Sequence, residues 1–211
     1  MMGVRAPVAG SLRMIAGLTR EGLPCDPPRF SLIATAWGPF GLVSSFDGRV
    51  AATFLPQPEL SLRRVIRRAF PQAVASDAPA SLRRQIEAYF RGRPTQFNVE
   101  LDLDNFPEFR RRVLEACRRV PFSRTCSYAD LARAVGSPGA ARAVGSAMAN
   151  NPVPLLVPCH RVLRSDGSLG GFSSPRGTSQ KLQMLLLENP SFRMMAPTRS
   201  AAPSRNALVA G

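Results

Sequence analysis

The chain has 211 residues, 45% of them apolar, enough to bury the core of one medium unit or two small ones. Its 28 arginines and lysines outnumber 14 acids, giving a formal charge of +14 and a pI near 11.5, which points to a polyanionic partner. No stretch approaches the roughly 18 apolar residues of a membrane span, and four cysteines with one histidine fit neither a secreted disulfide framework nor a spaced zinc site, so a cytoplasmic protein without metal, cofactor or membrane partner is expected.

Residues 1–28 carry Arg5, Arg13 and Arg20 and close on Pro24 and Pro27-Pro28. Their apolar runs are too short for a signal-peptide core, so they read as a flexible leader. An α/β unit is expected over 29–103. Phe30–Ala36, Gly41–Phe46 and Val50–Leu55 are short strand-like runs parted by Gly38-Pro39 and Asp47-Gly48, which predicts an antiparallel meander. Apolar residues at 62, 65, 66 and 69, then at 82, 86, 89 and 90, have helical spacing with arginines on the opposite faces.

A second, mostly helical unit is expected over 104–188. Phe109, Val113, Leu114 and Cys117 mark one face of a helix that stops before Pro121. Ser127–Val135 and Ala140–Met148, joined by Gly136-Ser-Pro-Gly139, form a helix-turn-helix pattern. The second of these helices is nearly all small residues, from which Arg142 projects alone. Leu182–Glu188 reads as a last amphipathic helix, and 189–211, rich in Pro, Ser, Ala and Arg, as a disordered tail. From Arg110 to Arg164 ten arginines face two acids, Glu115 and Asp130, so a basic patch is expected around this unit.

His160, the chain's one histidine, follows Cys159 within Val157-Pro-Cys-His-Arg-Val162. A thiol with a pKa of about 8.5 needs a nearby base or cation to become a strong nucleophile, and thiolate chemistry supported by an imidazole has one place here. If the segment is extended, adjacent side chains point apart and His160 does not touch the sulfur directly.

Tyr128, Ala140-Ala-Arg-Ala-Val-Gly145, Asn151-Pro-Val-Pro154, the Pro-Cys-His-Arg string, Gly170-Gly171 and a late helix ending in Glu188 occur in this order. In that series the chain resembles the O6-alkylguanine-DNA alkyltransferases, with the strong match over roughly 106–188. The resemblance implies a winged helix-turn-helix-like DNA-binding unit, double-stranded DNA as partner and a monomer. It also implies irreversible, single-turnover transfer of an alkyl group from O6-alkylguanine, with O4-alkylthymine as a second candidate substrate, after the nucleotide is flipped out.

By that analogy Cys159 is the acceptor, and a water relays its proton to His160. Glu188 holds the imidazole and favours an imidazolium–thiolate pair, while Tyr128 protonates the leaving guanine. Arg142 fills the space left by the flipped base. Tyr128, Ala140, Ala141 and Ser165 approach DNA, and Asn151, Pro154, Val162, Phe172 and Ser173 form the base pocket. The chain departs from the family at Phe172, where an aromatic with a hydroxyl is common, at the longer 173–177 loop, and at Ser123 and Cys126. An alkyltransferase-like lesion binder and a helix-turn-helix transcription regulator are the alternative readings; Cys159 speaks against the first. An Ala/Gly-rich recognition helix without a major-groove reading set speaks against the second.

Overall fold

The computed structural model describes residues 26–193, so most of the expected leader and the tail beyond 193 lie outside the described residues. Three strands, β1 (Arg29–Thr35), β2 (Gly38–Ser44) and β3 (Val50–Phe54), form the expected antiparallel meander. A two-residue strand, β4 (Val74–Ala75), adds to β1 in parallel, so the sheet is mixed, in the order β3-β2-β1-β4. The first hairpin reverses at Ala36-Trp37 rather than at Gly38-Pro39. Gly38, at φ +103°, already pairs with Thr35, whose hydroxyl donates to the Gly38 carbonyl.

Helix α1 (Glu59–Ala69) covers one sheet face and α2 (Ala80–Phe90) the other. The division follows the period of two: Phe30, Val43, Ala52 and Phe54 meet Leu62, Ile66 and Phe70, whereas Ile33, Phe40 and Leu42 pack with Leu82, Ile86 and Phe90. Gly41 permits the close approach of α1, because a Cβ there would lie 2.9 Å from Leu62 Cδ1 and 3.2 Å from Phe54 Cβ.

The second unit contains α3 (Glu108–Arg118), α4 (Tyr128–Ala134) and α5 (Ala141–Ala149). Helix α4 starts on a capping box in which Ser127 Oγ accepts from the Asp130 amide and the Asp130 carboxylate accepts from the Ser127 amide. It ends before Gly136, at φ +71°. Two short strands, β5 (Cys126–Ser127) and β6 (Val162–Leu163), pair in parallel and join the start of α4 to the segment after His160.

The last helix, α6 (Gly177–Glu188), begins five residues before the expected Leu182. Its buried row is Gln180, Lys181, Met184, Leu185 and Glu188, so a polar inward face conceals its first turn from an apolar-periodicity reading. One apolar cluster runs from Ile33 and Phe40 through Val113 and Leu114 to Met184, crossing the 103/104 boundary. The two units therefore share a core, which places side chains of α2 beside the Cys-His segment.

Candidate active site

Cys159–Arg161 form a 3₁₀ turn, not an extended segment, and all three side chains are buried. This corrects the extended-chain expectation. The loop before the turn is fixed by Asn151, whose amide donates to the Val157 carbonyl at 2.9 Å while its Oδ1 accepts from the Val153 amide at 3.1 Å. Strand β3 holds the same loop from the N-terminal unit: the Thr53 amide donates to the Pro152 carbonyl, and the Thr53 hydroxyl to that of Pro154 at 2.6 Å.

His160 has no exposed surface. Its Nε2 lies 2.6 Å from Glu188 Oε1, and its Nδ1 has no hydrogen-bond partner among the described residues. Glu188, 5% exposed, also receives both Nε and Nη2 of Arg161 at 2.9 Å, the Tyr89 hydroxyl at 2.9 Å and the Ser123 amide at 3.1 Å. Ser123 can aim its amide there because it sits in the left-handed region, at φ 61°, and its hydroxyl donates to the Glu188 carbonyl. Glu188 is thus a buried anchor and not a solvated helix end.

The charges settle differently from the sequence expectation. Burial raises the Glu188 carboxyl, but donation from His160 and Arg161 overcomes this and holds it at about 2. Burial pushes His160 below its usual range; Glu188 opposes that shift, and the charges of Arg161 and Lys181 add to it. Burial raises the Cys159 thiol, against the Asn151 amide, the Lys181 ammonium and the backbone N–H groups of Cys159 and His160. Burial therefore favours a neutral thiol and a neutral imidazole at rest, with the charge of Arg161 adding to the effect on His160. The imidazolium–thiolate pair is a state to be reached during reaction, not the ground state.

Arg161, Tyr89, Ser123 and Lys181 have no role assigned by sequence reasoning. Lys181 is the chain's one lysine and has no exposed surface. Its Nζ donates to the Val162 carbonyl at 2.6 Å and to that of Leu169, and it lies 5.9 Å from the centre of the Tyr128 ring. Burial brings its pKa down to about 8. It ties the 164–176 loop to β6. Lys181→Met keeps the stem but leaves two carbonyls without their donor, so a loss of about 1–3 kcal/mol is expected in denaturant unfolding, with faster proteolysis within 164–176.

Tyr128, at the start of α4, is half-buried. Burial raises its phenol, and a charge on Cys159 would raise it further. Its hydroxyl lies so near Gly170 that a Cβ there would come within 2.9 Å of it. Pro154 and Phe172 are half-buried, and Ser173 is exposed, its hydroxyl donating to the Ala149 carbonyl at 2.6 Å, which ties the departing loop to the end of α5. Val162 has no exposed surface, so its side chain is packed inside beneath β6 and does not line an open surface. On α5 the outward row is Arg142, Ala143, Ser146 and Ala149; Ala140 and Ala141 are half-buried at its start, and Ser165 is exposed on the 164–168 turn.

The basic patch is smaller than the arginine count implies. Arg110 donates to the Asn150 carbonyl, Arg112 to that of Val135, Arg118 to those of Phe97 and Val99, and Arg161 to Glu188. Four of the ten arginines between 110 and 164 thus tie helix ends and loops together. Arg119, Arg124, Arg133, Arg142 and Arg164 are exposed. Among the described residues no group of three or more His, Cys, Asp or Glu side chains is placed to hold a metal ion, and no helix is long and apolar enough to cross a membrane.

Fold and site together define a protein built around one buried thiol backed by histidine, carboxylate and arginine. Residues 108–190 match the family model described as 6-O-methylguanine DNA methyltransferase, DNA binding domain. A methylated-DNA–protein-cysteine methyltransferase of Bacillus subtilis, the constitutive one, is 33% identical over 162 residues, covering 75% of this chain and 96% of the relative. That of Mycobacterium leprae is 47% identical over 104 residues, which are 49% of this chain and 61% of the relative's length. The structure of Mycobacterium tuberculosis OGT in complex with DNA aligns with a TM-score of 0.62 at 33% identity, over 77% of this chain and 93% of that one. The chain belongs to the methylated-DNA–protein-cysteine methyltransferase family.

Proposed function

We propose that the protein repairs DNA by moving the alkyl group of O6-alkylguanine onto Cys159, irreversibly and once per molecule. The observation that carries this reading is the buried Cys159 next in the chain to a buried imidazole whose Nε2 is tied to Glu188, which leaves Nδ1 as its basic nitrogen. The Cys159 proton passes to Nδ1, by family analogy through a water. The soft thiolate attacks the alkyl carbon from the side opposite O6, and the C–O6 bond breaks as the S–C bond forms. The departing guanine takes a proton through the Tyr128 hydroxyl, which regains one from the site. The thiol proton ends on guanine and the alkyl group on sulfur, so the step balances without any further reactant.

The target atom is inaccessible in a stacked duplex, so the nucleotide must be extruded at a cost of a few kcal/mol. We read α4, the turn and α5 as a helix-turn-helix, with the 164–168 turn carrying Ser165 as its wing. The support is the shape of α5, on which Arg142 projects from a row of small residues and a Cβ added at Gly145 would meet no side chain within 4 Å. A backbone can lie close along such a row while a guanidinium enters the stack. Pro154, Phe172 and Ser173, on the loops flanking the thiol, would enclose the base, with Asn151 and Val162 behind them.

Intact mass after incubation with a duplex containing O6-methylguanine tests the reading. One methyl per chain and no further turnover is expected. Unmodified protein that still binds the duplex would make it a lesion binder instead. Arg142→Ala should slow repair of duplex DNA at least about tenfold while hardly changing reaction with the free modified base, because only the duplex must be unstacked. Equal losses on both would assign Arg142 to the fold. Removing Arg124 or Arg164 should instead flatten the salt dependence of binding, by about 0.9 in log-log slope for each phosphate that is no longer neutralised.

A further inference from the structure

We propose that Tyr89, on α2 of the N-terminal unit, is a positioning residue that restrains the basicity of His160, and through it the readiness of Cys159 to ionise, by donating to Glu188. This rests on Cys159 being the acceptor and His160 its base. The ring of Tyr89 has no exposed surface and is enclosed by Phe90, Phe97 and Phe122, with centroid distances of 5.2, 6.2 and 6.1 Å. Phenylalanine would satisfy that packing. The hydroxyl is what packing leaves unexplained, and it lies 2.9 Å from Glu188 Oε1 and 3.2 Å from His160 Nε2.

Its role as donor is fixed. Burial and the neighbouring carboxylate push the phenol well above its usual range, so it stays protonated and gives its hydrogen to Glu188. The charged and titratable groups around the imidazole are Glu188 and Lys181 from α6, Arg161 and Cys159 from the 3₁₀ turn, and Tyr89 from α2. Among these Glu188 alone draws a proton onto His160. Each further donor on Oε1 disperses the charge the oxygen can offer the imidazole. Tyr89 is therefore a brake. It adds to the burial that favours a neutral pair at rest, which suits a thiol that can be used once and must not meet stray electrophiles as thiolate.

The single histidine makes the test direct. Nitrogen-15 labelling of histidine reports the protonation midpoint and tautomer of His160 without assignment. In Tyr89→Phe the midpoint should rise by about one pH unit, the displacement expected when a charged acceptor loses one hydrogen bond. The pH profile of Cys159 alkylation by iodoacetamide should move to lower pH in step. If that variant fails to fold, difluorotyrosine incorporated into a Tyr128→Phe chain places a more acidic phenol at position 89 alone, and the midpoint should fall. Unchanged midpoints and profiles would overturn the proposal, as would a shift of opposite sign. Neither readout requires DNA, so failure here is distinct from failure to accept an alkyl group from O6-alkylguanine.

Discussion

Cys159→Ser is expected to abolish alkyl transfer, by on the order of 10⁴-fold or more, while Cys117→Ala and Cys126→Ala keep it. The three thiols among the described residues differ in circumstance rather than in kind. Cys117 has no exposed surface, and burial pushes its thiol well above the usual range; Cys126 is raised to about 11 by burial. Neither is adjacent to the imidazole in the chain. Cys159 is raised by burial too, but Asn151, Lys181 and two backbone N–H groups aid its thiolate, and the neighbouring residue supplies the base. Serine retains the shape but replaces the soft sulfur with a hydroxyl that a neutral imidazole in this setting ionises poorly. Peptide mapping after reaction should place the alkyl group on the peptide holding residue 159; alkyl on Cys126 or Cys117, or an active Cys159→Ser protein, would overturn the assignment.

The elements that face an apolar core are legible in the sequence because their periods are carried by Val, Leu, Ile and Phe. Strands β1 to β3 and helices α1 to α5 fall close to where alternation and helical spacing put them. Strands β4, β5 and β6, two residues each, are too short to show any period and exist through pairing alone. The start of α6 is hidden because Gln180 and Lys181 point inward, where periodicity looks for leucine.

The site divides in the same way. Cys159 and His160 stand together in sequence and announce themselves. Glu188 is reached by resemblance, and its partners are not reached at all: Tyr89 lies 99 residues away and reads as one more apolar residue of α2. Arg161 is in plain view, but whether an arginine meets solvent, phosphate or carboxylate depends on contacts that spacing does not encode. The neutral resting state likewise follows from burial, which is not a property of the motif.

Glu188→Gln should damage both the fold and the chemistry. The carboxylate accepts from Tyr89, His160, Arg161 and the Ser123 amide, all donors, so an amide NH2 in its place sets donor against donor and strands Arg161 as a buried cation. Breaking one partner of such a buried pair costs about 3–5 kcal/mol, to be read as an earlier denaturant midpoint. Acid titration supplies an independent measure. The folded carboxyl titrates at about 2 against an ordinary value of 4.5, so its contribution, on the order of 3 kcal/mol, is full above 4.5 and is lost as pH falls towards 2. Wild type should lose stability steeply across that window and the glutamine variant less steeply, since Asp47 and Asp130, whose carboxyls hydrogen bonds also hold below their usual range, titrate in both. For the chemistry, Glu188 is the group that favours a proton on His160 against burial, Arg161 and Lys181. Without it the imidazole takes the Cys159 proton less readily, and the alkylation profile of the variant should move to higher pH, opposite to the shift expected for Tyr89→Phe. Profiles that coincide with wild type in a folded Glu188→Gln protein would confine Glu188 to holding the structure together.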